Sequence, residues 1–125
     1  MTSQDTKQAE YLFTLTSFEG DSDRVAIPLV LANTALAIGG DVLLWLSLDA
    51  VELARSGSAD KLDAISFPAV RELLDTFIEN GGRIGVCPPC AKTHDLTEDS
   101  LVENAEWMGA AAIVEAAAQR RTMAF

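Results

Sequence analysis

Two cysteines, one histidine and one tyrosine stand among the 125 residues of this chain. So few cysteines, three positions apart, exclude a small fold stapled by disulfides. Basic residues are also scarce: nine Lys and Arg face 19 Asp and Glu, a formal charge of -10. A chain without a basic face is a poor neutraliser of phosphate, so no nucleic-acid partner is expected. An anionic membrane surface is disfavoured on the same ground. No run of about 18 apolar residues exists, which leaves no membrane span. The longest apolar stretch, Val25 to Ile38, is broken by Pro28, Asn33 and Thr34. Met1 to Glu10 is polar and lacks the apolar core of a secretory signal, so the expected location is the cytoplasm. What the chain does have is apolar surface. Hydrophobic residues make up 49%, with a mean hydropathy of +0.17. That is enough to offset the ordering entropy of one domain and argues against disorder.

Hydrophobic periodicity predicts one α/β domain over 10–125 behind a loose tail, 1–9. Tyr11 to Ser17 alternates weakly and reads as a first strand. Asp21 or Ser22 caps a helix running to Ile38, in which Pro28 is expected to be disruptive. Val42 to Leu48 is almost continuously apolar, as in a parallel strand buried on both faces. Arg55 to Lys61 reads as a polar loop. Pro68 suits the first turn of a helix that buries Val70, Leu73, Leu74, Phe77 and Ile78 and ends at Gly81-Gly82. Arg83 to Cys87 is a short strand and Pro88 to Asp95 a loop. Thr97 caps a short helix. Glu103 to Trp107 forms a brief strand, Gly109 to Gln119 an alanine-rich helix, and Thr122 to Phe125 a last strand. This alternation specifies a three-layer sandwich: a mostly parallel central sheet with helices on both faces.

Chemistry concentrates at Cys87-Pro-Pro-Cys90, beyond the carboxyl end of a strand, where ligands gather in open α/β sheets. A thiolate there can attack sulfur and carry a persulfide or a mixed disulfide, and a second thiol three residues on can resolve it. Lys92 is placed to stabilise a thiolate by its charge, and His94 to tune the loop or act as a base. Cys87, Cys90 and His94 also form a C-x2-C-x3-H pattern, so a zinc site completed by Asp95 or another subunit stays open, as does a pair of inert thiols. A thioredoxin-like fold fits less well, because only 35 residues follow Cys90 and the next long helix starts near Gly109. Gly39-Gly40 and Gly81-Gly82 end helices instead of opening them, so neither is a phosphate loop, and no cofactor is expected. Trp45 reads as core. Trp107 reads as core or as a neighbour of the thiol loop.

Gly81-Gly-Arg-Ile-Gly-Val-Cys-Pro-Pro-Cys-Ala-Lys92 resembles the central strand and cysteine loop of the DsrE/DsrF-like family, and Ser100 to Glu115 looks like the segment that follows it there. Asp23-Arg24, the apolar helix and Val42 to Leu53 match the same layout, so the resemblance covers about residues 10 to 125. It implies a flavodoxin-like α/β domain that assembles into homo- or hetero-oligomers, commonly trimers or hexamers. It also implies a sulfur relay, in which persulfide sulfur passes from a donor protein to an acceptor. By this resemblance Cys87 is the sulfur carrier, and Cys90 the second thiol of a CxxC-bearing branch. Many members have an Arg-Gly pair where this chain has His94-Asp95, a departure that removes a fixed positive charge from the loop.

The apolar excess sits in two helices, Val25 to Ile38 and Gly109 to Ala118. A domain of this size has little interior in which to hide a helix on every side. Part of that surface is therefore expected to meet another subunit. The acidic excess is assigned to solvated outer faces, away from the site.

Overall fold

In the computed structural model, residues 8–125 are described. The expected tail falls outside them up to residue 7. At its far end, Gln8 donates its side-chain amide to the Gly39 carbonyl at 2.9 Å, and the Ala9 carbonyl accepts from Asp41 at 2.8 Å.

The apolar run in the middle of the chain becomes β2 (Asp41–Leu46), flanked by β1 (Glu10–Leu15) and β3 (Arg83–Val86). With β4 (Ala105–Trp107) and β5 (Arg121–Ala124) they make one sheet in the order β4-β3-β2-β1-β5. All four pairings are parallel. One transverse row runs across the whole sheet: Met123, Phe13, Leu44, Ile84 and Ala105 lie side by side in register. Parallel strands need crossovers, and here helices supply them. The helices α1 (Ser22–Ala37) and α2 (Val70–Glu79) cover the face bearing Phe13, Leu44 and Ile84, where Val25, Leu29, Leu74 and Phe77 complete the core. The helix α4 (Ala110–Gln119) returns the chain from one sheet edge to the other over the opposite face, beside Leu43. The fold is thus the three-layer α/β sandwich expected.

Several boundaries differ from the sequence reading. β2 ends at Leu46, and Leu48 takes a left-handed backbone (φ 52°) that opens a 3₁₀ segment, Leu48–Ala54. Four of its seven residues, Ala50, Val51, Leu53 and Ala54, are buried, while Leu48 and Asp49 at its start are exposed. A second 3₁₀ turn, Ser58–Lys61, occupies part of the expected loop. The helix runs unbroken through Pro28. The bond this proline forgoes belongs to the carbonyl of Arg24, which is exposed and open to water. Pro68 lies before α2 instead of in its first turn, with Ala69 as the N-cap. Thr97 does cap a turn, Glu98–Ser100, in a reciprocal box with Ser100.

Candidate functional site

β3 delivers the chain to the carboxyl edge of the sheet, and Cys87 continues its ladder by donating its N–H to the Leu46 carbonyl at 3.0 Å. The next residues do not form the loop expected. They make a short helix, α3 (Pro88–Thr93), with Cys87 as its N-cap. The two prolines explain this: at the first helical positions a missing N–H leaves no bond unmade, and a fixed φ favours the turn. The first intrahelical bond runs from Ala91 N–H to the Cys87 carbonyl at 2.9 Å. The helix ends at His94, with Asp95 left-handed (φ 55°) behind it.

Helical spacing brings Cys87, Cys90 and His94 onto one side of α3, each about one turn beyond the one before. Both cysteines are free and half-buried. Burial pushes the Cys87 thiol above its ordinary value. The Cys90 thiol, within hydrogen-bond reach, adds to the rise, while the Cys90 backbone N–H pulls the other way. That N–H does not close a capping bond on the thiol. These effects favour the protonated form of the Cys87 thiol over the thiolate.

Lys92 projects from a different side. With Pro88, Ala91, Leu96 and Trp107 it lines an open, mostly apolar groove of about 430 Å³. Trp107, on the edge strand β4, is 38% exposed and forms the groove's aromatic wall. Trp45, expected in the core, is only partly buried and donates its indole N–H to the Met108 carbonyl at 2.9 Å. Lys92 therefore stands apart from the thiols, and Trp107 is a neighbour of their helix.

His94 turns its ring toward carboxylates. Nδ1 lies 2.9 Å from Glu52 Oε2, and Nε2 lies 3.3 Å from Asp49 Oδ1. With both nitrogens so engaged, the imidazole faces away from a role as base toward Cys87. The zinc reading loses its third ligand in the same way, and no group of three or more His, Cys, Asp or Glu among the described residues is arranged to hold a metal ion. Arg55 completes the cluster. It grips Glu52 with two bonds, Nε to Oε1 at 2.8 Å and Nη2 to Oε2 at 3.0 Å, and donates from Nη2 to the His94 carbonyl at 2.6 Å. Hydrogen bonding from Arg55 outweighs burial, and with a further bond from His94 it holds the Glu52 carboxyl down at about 2.

Asp49, Glu52 and Arg55 were invisible to the motif reading. Of the two acids, Asp49 is solvated as expected of the acidic excess, but Glu52 is not: it is mostly withdrawn from water beside the thiol helix, where Arg55 and His94 bond it. The available signal was an ion pair, Glu52 and Arg55, three residues apart in an otherwise apolar segment.

A five-stranded, all-parallel α/β sandwich with a thiol pair at the carboxyl end of its third strand defines a small class of cysteine-bearing flavodoxin-like domains. The chain belongs to the DsrE/DsrF-like family, whose model matches residues 9–125. An uncharacterized protein of Methanopyrus kandleri is 33% identical over 84 residues, covering 67% of this chain and 66% of that protein. One from Methanocaldococcus jannaschii is 27% identical over 105 residues, 84% of this chain but 38% of its own length. Among solved structures, the ychN protein of E. coli superposes with a TM-score of 0.75 at 14% identity, covering 95% of this chain and all of that one. A protein of unknown function from Methanobacterium thermoautotrophicum, MTH1491, gives 0.72 at 14% identity, covering 94% of this chain and 100% of that one.

Proposed function

We propose that this chain is a sulfur-relay or thiol-redox protein that carries sulfane sulfur on Cys87. The observation that carries the reading is the placement of Cys87: a free, partly accessible thiol at the carboxyl end of a central parallel strand, with a second thiol in reach. The Cys87 thiolate attacks the outer sulfur of a donor persulfide, R–S–SH. A new S–S bond forms, the donor's own S–S bond breaks, and the donor leaves as R–S⁻. An acceptor thiolate then takes the outer sulfur and returns Cys87 as thiolate. In the alternative exit, the Cys90 thiolate attacks the Cys87 sulfur, closing a disulfide and releasing hydrosulfide. Lys92 and Trp107 form the approach that a donor or acceptor protein meets, and His94 acts from the far end of the helix.

The working form is a homo-oligomer, a trimer or hexamer, in the cytoplasm. Supporting this, none of the ten residues of α4 is buried, and Val114 on it is 69% exposed. Ile27, Leu31 and Ile38 of the α1 region are also exposed. The formal charge of -10 argues against a nucleic-acid partner, and no helix among the described residues is long and apolar enough to cross a membrane.

The test is intact mass after exposure to a persulfide donor. One added sulfur atom, removed by reductant and absent in Cys87→Ser, is expected. An unmodified wild-type protein, or an adduct that survives Cys87→Ser, overturns the reading.

A further inference from the structure

Glu52 and Arg55 are the most elaborately bonded polar pair among the described residues, yet they touch no thiol. Their bonds converge instead on the last turn of α3. Arg55 Nη2 reaches the His94 main-chain carbonyl at 2.6 Å, Glu52 Oε2 reaches the His94 ring at 2.9 Å, and Ser58 Oγ lies 3.4 Å from Glu52 Oε1. A helix of six residues has almost no stability of its own. At its first turn it is fixed by Pro88, Pro89 and the strand before them. Its last turn closes on itself through His94 N–H to the Cys90 and Ala91 carbonyls and Leu96 N–H to the Ala91 carbonyl, and buried Ala91 and Leu96 seat it on the core; the side-chain bonds that reach that turn from the segment after β2 are those of this cluster.

We infer that Glu52 and Arg55 are positioning residues for the Cys87–Cys90 pair, acting through His94 to keep the short helix α3 wound, so that helical spacing holds both thiols on the same side. The inference deepens the sulfur-carrier reading and rests on the thiol pair being the working site. The charged groups about His94 are Asp49 and Glu52 from the segment after β2, Arg55 behind them, and Asp95 next in sequence. The Glu52–Arg55 pair is half-closed to water, with side chains 20% and 30% exposed, so salt screens it less than a surface pair. A fixed Cys90 raises its effective concentration at Cys87. Loss of the clamp lowers that concentration and weakens closure of the disulfide.

The experiment measures the equilibrium between the protein dithiol and oxidised glutathione, in which one glutathione disulfide is reduced to two thiols as the Cys87–Cys90 disulfide closes. Glu52→Gln is isosteric and removes the charge; Glu52→Asp keeps it. In Glu52→Gln the equilibrium constant is expected to fall about fivefold or more, and in Glu52→Asp to return toward wild type. Circular dichroism reports whether each variant is folded. Should Glu52→Gln unfold, His94→Gln removes the same contact from the helix side and is held to the same fall. A folded Glu52→Gln or His94→Gln whose constant stays within about twofold of wild type overturns the inference. These readouts need no persulfide. A wild-type protein that takes up no sulfur but shows the fivefold fall loses the carrier reading and keeps the clamp, and the opposite pattern does the reverse.

Discussion

His94 Nδ1 lies 2.9 Å from Glu52 Oε2, joining the end of the thiol helix to the segment that follows β2. Two charge-assisted bonds from Arg55 to the same carboxylate make that contact one side of a closed cluster. The consequences extend to stability as well as to the thiols.

The first concerns acid. Glu52 is held at about 2 against an ordinary 4.5. A folded value below the unfolded one adds stability that is fully present above the ordinary range and disappears as pH falls through about 4.5 toward about 2. Glu52→Gln is expected to lower stability at neutral pH by about 2 kcal/mol and to flatten this acid limb. Urea unfolding between neutral and acid pH measures both.

The second concerns the thiol. With Cys87 raised by burial and by Cys90 beside it, its alkylation is expected to be slow at neutral pH. The rate should climb through and beyond the ordinary thiol value of 9.0. Cys90→Ala removes the upward push of the second thiol, leaves burial in place and should move the midpoint down. Rates of iodoacetamide labelling read by peptide mass across pH check this; a midpoint below the ordinary value would contradict it.

The third concerns packing at β3. A Cβ on Gly85 would lie 3.0 Å from Met108 Cβ and Sδ and 3.1 Å from Trp45 Cδ1. On Gly82 it would run into the ring of Phe77, which is wholly buried. Gly85→Ala is expected to cost about 1–2 kcal/mol, since the methionine end can shift, and Gly82→Ala about 3 kcal/mol, since the Phe77 ring has nowhere to go. Thermal and urea unfolding of the two variants should rank them in that order.

The fourth concerns assembly. Val114→Glu puts a charge on the exposed large apolar residue of α4 without touching the core. Sedimentation of the variant should show a smaller species than wild type, with unchanged circular dichroism. A variant of unchanged size would point the interface elsewhere.

How much of this could be read from residues alone varies by element. Val42 to Leu46 declared a central strand because two buried faces leave no room for alternation, and α2 declared itself through Val70, Leu73, Leu74 and Phe77. Both signals are local and repeated. The helix at Pro88–Thr93 was missed because six residues hold less than two turns of periodicity, and paired prolines serve loops as readily as helix starts. The two cysteines stood out by rarity. Glu52 did not, being one of 19 acids, and nothing in its neighbourhood of sequence foretells a histidine 42 residues on. The thiols were legible; the cluster at the foot of their helix was a fact of tertiary structure only.

The sheet order carries a consequence for how the molecule is made. β1 is flanked by β2 on one side and by β5 on the other, with Tyr11 opposite Arg121. Arg120 locks that closure, bonding the Tyr11 carbonyl at 3.1 Å and lying 2.7 Å from the Asp41 carboxylate. During synthesis β1 emerges early and finds β2 soon after, but its outer edge has no mate until residue 121 and those after it leave the ribosome. Until then the nascent chain carries an open strand of Tyr, Leu and Phe. A ribosome stalled after α4 would therefore display a sticky intermediate, and a chaperone that binds extended apolar segments would find its target at β1.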